Sequence, residues 1–142
     1  CYGPIQAPAV QAPGMSMYAW AGTQRPDGTQ PTVLAMVAKA PSPQDAANMS
    51  VLQFHERMLT SLKQRRTDWQ QTPVESGQVN GLPFARTAWR AVAPELSRKM
   101  AGVEYATKDG ATFIQLRSQD VDAYHEQALK LGTASILTFR KK

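Results

Sequence analysis

The chain has 142 residues, 42% of them hydrophobic and 19% charged, which is a globular balance at the size of one domain. A single cysteine excludes an internal disulfide and any multi-cysteine zinc or iron–sulfur centre, and no apolar run approaches the roughly 20 residues of a bilayer-spanning helix. Lys and Arg number 16 against 11 Asp and Glu, a net charge of +5, which is a mild bias rather than a nucleic-acid signature.

Residues 1–14 carry three prolines, two glycines and no charge. Proline locks φ and lacks a donor, so this stretch reads as a tether or an irregular edge segment ahead of a single domain at 15–142. Met15, Met17, Tyr18 and Trp20 mark an aromatic strand, and Asp27-Gly28 is a hairpin signal because both residues tolerate positive φ. The partner, Thr32 to Ala38, is almost continuously apolar, which predicts a central strand covered on both faces. Val51, His55, Met58, Leu59 and Leu62 share one face of a 3.6-residue period, within a long helix predicted over 44–66. Lys63, Arg65 and Arg66 suit the exposed carbonyls of its last turn.

Trp69 to Val79, interrupted by Pro73, reads as a weak edge strand. Asn80-Gly81 turns it into Leu82 to Ala93, and Asp109-Gly110 joins strands 100–107 and 112–117. Val121, Tyr124, Ala128 and Leu131 form the stripe of a second helix over 120–131, started by Ser118 or Asp120. Residues 134–139 fit a further helical turn or a short strand equally well. The expected architecture is therefore α+β, an antiparallel sheet of about six strands in three hairpins, sandwiched between helices 44–66 and 120–131.

Several residues tie this order to a known family. They are Tyr18-Ala19-Trp20-Ala21-Gly22, Gly81-Leu82-Pro83-Phe84-Ala85-Arg86, Gly102-Val103-Glu104-Tyr105 through Asp109-Gly110, and Leu137-Thr138-Phe139-Arg140. From about Met15 to Arg140 the chain resembles the PsbP-like α/β/α sandwich. That group includes the PsbP subunit of photosystem II, a Ran-binding transport factor and many uncharacterised bacterial lipoproteins. Such domains usually open with an additional strand, where this chain has its proline-rich segment. The resemblance implies a fold and carries no catalytic residue.

Chemistry is sparse in the sequence. His55-Glu56 and His125-Glu126 are the two histidine–glutamate pairs, but Leu59 and Leu129 stand where a zincin helix needs its second histidine. No Gly-x-Ser-x-Gly turn, Walker loop or dinucleotide fingerprint occurs, so neither an enzyme nor a cofactor is expected. Cys1, followed by a proline-rich segment, looks like the first residue of a mature bacterial lipoprotein, which carries lipid on that cysteine. This reading places the domain at the cell envelope as a non-catalytic accessory module whose partner is another protein at the membrane surface. Trp69, Arg65, Arg66 and Arg90 are the candidate partner surface, and basic clusters of this kind could also meet anionic head groups. The competing reading is an intracellular adaptor for protein or nucleic acid, with Cys1 incidental; a hydrolase or metal enzyme ranks below both.

Overall fold

The computed structural model describes residues 2–6 and 14–137. Of the N-terminal segment, β1 (Gly3–Ile5) pairs with the far half of β2 (Met15–Ala21) as an edge strand. β2 pairs in turn with β3 (Thr32–Lys39). Asp27-Gly28 lies in the loop 22–31 between them, which is longer than a two-residue turn. The Asp27 carboxylate accepts hydrogen bonds from the Thr29 amide at 2.9 Å and its hydroxyl at 2.6 Å, and the Gly22 amide donates to the Pro31 carbonyl to close the base.

The single helix expected over 44–66 is two helices, α1 (Pro43–Asn48) and α2 (Val51–Lys63). Met49 is extended between them, at φ −115° and ψ 121°. Ser50 then starts α2 with a capping box: its hydroxyl accepts from the Gln53 amide while the Gln53 side chain accepts from the Ser50 amide. Two otherwise orphaned donors are satisfied at once, which favours a new start over a continuous helix. Lys108 holds the junction from below, its Nζ donating to the carbonyls of Ala46 and Met49.

The predicted strand 69–79 likewise divides, into β4 (Thr67–Gln71) and β5 (Glu75–Val79), because Pro73 cannot donate to a ladder. Both pair with β6 (Leu82–Ala93). Asn80 and Gly81 have φ of 53° and 81°, the pattern of a type I′ turn. β6 pairs with β7 (Arg98–Asp109) and β7 with β8 (Thr112–Val121). The β7–β8 turn falls one residue later than expected, on Gly110-Ala111, with positive φ at the glycine alone, as a type II′ turn requires. Among the described residues the sheet thus has eight strands, against the about six expected, ordered β1-β2-β3-β8-β7-β6-β4 with β5 also on β6. The two additional strands are β1 and the second half of the divided edge.

At the C-terminus the predicted helix moves along the chain. Residues 118–121 remain in β8, a 3-10 turn takes Asp122–Tyr124, and α3 runs over His125–Leu137. The helical alternative for 134–137 is therefore the observed one; residues 138 and 139 lie outside the described residues.

α2 covers one face of β6, β7 and β8, and α3 covers the other face of β7 and β8. Strand alternation divides β7 between them. Ala106 joins Val51, Phe54, Ala85 and Phe113 beneath α2, whereas Val103 and Tyr105 pack with Ile136 of α3. Every residue from Met100 to Thr107 is buried as a result. The doubly covered strand is β7 rather than β3, in which only Val33 and Met36 are buried, because the helices cross the sheet on the far side of β8.

Candidate functional site

Beneath α2 lies a sealed polar cluster. His55, Thr87, Glu104 and Gln115 have no exposed surface, and Arg117 is nearly as deep. His55 Nε2 is 2.8 Å from Thr87 Oγ1, and its Nδ1 is 3.2 Å from Gln115 Nε2. Gln115 Nε2 also donates to Glu104 Oε1 at 3.3 Å. One proton assignment satisfies every member: neutral His55 donates from Nε2 to Thr87 and accepts at Nδ1 from Gln115. Burial pushes the His55 pKa down, opposed by the Gln115 hydrogen bond and the Glu104 charge. Glu104 further accepts from Arg117 Nε at 2.9 and 3.0 Å and from Trp89 Nε1 at 3.2 Å. This is a charge pair and its hydrogen-bonding shell, closed off from solvent.

A second, half-buried pair ties the β2–β3 loop to the sheet. Arg25 forks onto Asp120 at 2.9 and 2.7 Å and lies over the Tyr124 ring at 3.6 Å. The Asp120 side chain is fully buried.

Open surface is found elsewhere. On the α3 side, helix and sheet leave a trough of about 370 Å³ between β4 and the start of α3. Ala88 and Ala101 form its floor, and Gln70, Gln71, Arg90 and His125 are among its lining residues. On the α2 side, an apolar cavity of about 320 Å³ is lined by Met15, Met49, Met58, Phe54 and Phe113, with Arg57 among its polar lining residues.

The four predicted partner residues do not form one surface. Trp69, expected to be exposed, is half-buried on the α2 side, stacked on Trp89 with centroids 5.3 Å apart, and its Nε1 donates to Gln71. Arg65 is exposed just past α2. Arg66 is mostly buried, pairs with Glu95 at 3.5 Å, and has an Nε with no partner among the described residues. Burial pushes its pKa down against the pull of Glu95. Arg90 stands on the α3 side, opposite Ala101 in the ladder, and pairs with Asp122 at 3.1 Å. Cys1 lies outside the described residues. Trp20 is half-buried on β2, and Trp89 is buried against Gly102.

His55 and His125 are separated by the sheet, His55 beneath α2 and His125 at the start of α3 with its Nδ1 3.0 Å from the Asp122 carbonyl. Among the described residues, no three His, Cys, Asp or Glu side chains are grouped to hold a metal ion. The sequence reading missed the cluster around Glu104. Part of its signal was present: Gln115 and Arg117 have the two-residue spacing that puts both on one face of β8, and the register then sets Glu104 opposite Arg117.

No protein-family profile and no curated protein matches this sequence. Solved structures do match. PA94 of Pseudomonas aeruginosa, a protein of unknown function given provisionally as a regulator, has a TM-score of 0.62 and 8% identity over 99% of this chain and 97% of its own. LpqN, involved in cell envelope biogenesis of Mycobacterium tuberculosis, has a TM-score of 0.62 and 12% identity over 96% of this chain and 87% of its own. The fold is shared. At such low identity the likeness goes no further than the fold. Neither neighbour carries the PsbP name, so the narrower resemblance is not shown by them. Among the described residues, no helix is long and apolar enough to cross a membrane.

Proposed function

We propose that this chain is a non-catalytic binding domain held at the bacterial cell envelope by lipid on Cys1. Its proposed partner is another protein at the membrane surface. The observation that carries this reading is the contrast between the two polar regions of the molecule. Glu104, Gln115, His55 and Arg117 are sealed and linked through hydrogen bonds, whereas the open trough beside α3 presents the amide Gln70 and the cation Arg90 around a floor of small residues. Such a surface suits a protein partner, since amide and guanidinium groups read backbone and carboxylate oxygens while the floor accepts apolar contact. The envelope role of LpqN, which shares the fold, supports the setting, as does the resemblance to PsbP-like lipoproteins.

Expression of the full-length gene, with Cys1 native or replaced by serine, tests the anchor. Membranes are washed in high salt to strip peripheral proteins before the pellet is assayed. The native protein is expected to stay with the membranes and Cys1→Ser to leave with the wash. If the serine variant remains in the pellet as the native form does, the anchor reading is wrong.

A further inference from the structure

Four segments of the chain meet at one end of the sandwich. β6 turns into β7 there through residues 94–97, α2 ends there at Lys63, and the β2–β3 loop closes there. β1 also begins there: Gly3 lies level with Ala21, Thr32, Gln119, Gly102 and Trp89 across the sheet. Ion pairs bind these segments together. Arg66, just past α2, reaches Glu95 in the turn, and Arg25 of the loop reaches Asp120 at the end of β8. The Arg98 charge acts on Asp27 of that loop.

These pairings use up most of the acids at this end. Glu95 is held by Arg66, Asp120 by Arg25, Asp122 by Arg90, and Asp27 by Thr29, leaving Asp68 exposed. Lys63, Arg65, Arg98 and Lys99 are all exposed, and none has a carboxylate within ion-pair distance among the described residues. At the tip stands Leu96, 57% exposed and above Tyr18 at 52%. The turn holds it outward, with the Leu96 amide donating to the Ala93 carbonyl, the Ser97 amide to that of Pro94, and Ser97 at φ 49°. A protruding leucine gains nothing from water, and four exposed cations without a carboxylate in ion-pair distance lie at the same end. That combination suits the boundary of a lipid bilayer, where an apolar side chain enters the acyl edge and Lys or Arg stems reach the phosphates.

We propose that this end of the domain docks on an anionic bilayer, with Leu96 inserted at the interface and Lys63, Arg65, Arg98 and Lys99 facing lipid phosphates. The proposal deepens the envelope reading and takes its setting from it. Gly3, two residues along the chain from Cys1, lies at this same end.

The test uses the Cys1→Ser chain, unlipidated, sedimented with vesicles of phosphatidylcholine alone or mixed with phosphatidylglycerol. The chain is expected to sediment with the anionic vesicles only, and less as salt rises. Arg65→Gln with Lys99→Gln should lower the partition coefficient about 25-fold, fivefold for each cation. Leu96→Ser should lower it about tenfold. Lys39→Gln with Lys130→Gln, exposed away from this end, should leave it unchanged. All these positions are exposed, and thermal melts confirm that the variants fold. Equal sedimentation with neutral vesicles, no binding to anionic ones, or an equal loss in the control pair overturns the proposal. If Cys1→Ser is released from washed cell membranes and yet fails to bind vesicles, the anchor stands and the docking face falls. Vesicle binding by a chain whose native Cys1 proves unmodified has the opposite meaning.

Discussion

Replacing Glu104 with leucine removes the acceptor at the centre of the cluster under α2. Arg117 Nε, previously at 2.9 and 3.0 Å, and Trp89 Nε1 at 3.2 Å then lose their partner, while Gln115 Nε2, at 3.3 Å, keeps only its bond to His55. The guanidinium is the costly one. Its side chain is 5% exposed, so water cannot replace the carboxylate, and breaking a buried pair from one side costs about 3–5 kcal/mol. The orphaned indole adds about 1 kcal/mol or more. For a domain of this size the pair alone corresponds to a fall in Tm of about 10–20 °C. Replacing both partners removes the unpaired charge, so Glu104→Leu/Arg117→Leu should be more stable than Glu104→Leu by about 1 kcal/mol or more. Urea titration of the wild type, both single variants and the double variant measures the coupling. Additive losses, or a single-variant loss below about 1 kcal/mol, would show that the pair is not electrostatically isolated as its burial implies.

Arg25→Ala should cost about 3–5 kcal/mol, because it leaves the buried Asp120 carboxylate unpaired; hydrogen exchange should quicken across residues 22–31 first. Gly102→Ala should cost about 1–3 kcal/mol in denaturant titration, since a Cβ there would lie 2.8 Å from the Ser118 carbonyl oxygen and 2.7 Å from the Trp89 ring. The His55 pKa is lowered by burial from its ordinary 6.5. Folding therefore favours the neutral ring, and its stabilisation is present above about pH 6.5 and lost as the pH falls through that value toward the folded pKa. His55→Gln should flatten the stability profile in that window; an unchanged slope would place the dependence on another group. Ser50→Ala should cost about 1 kcal/mol through the loss of the α2 cap.

Local chemistry determined the elements. Asn80-Gly81 specified its turn because both positions adopt positive φ, and the stripe of Val51, His55, Leu59 and Leu62 specified the buried face of α2, each from residues close in sequence. The break before α2 was also written there, since Ser50 and Gln53 have the spacing of a capping box. Other outcomes depended on residues far apart. The apolar run of β3 suggested double coverage, but coverage depends on where helices cross the sheet, and they cross at β7, whose glutamate and glycine conceal its central position. Asp120 has the chemistry of a helix cap, yet it stays in the sheet because Arg25, 95 positions earlier, meets it there. The basic residues at 63–66 and 98–99 could be seen in the sequence as separate clusters. Only the pairing of β6 with β7, and of Arg66 with Glu95, places them at the same end as Leu96 and Gly3. Periodicity reports which face of an element is apolar, whereas the neighbours of that face are set by contacts whose partners no local pattern names.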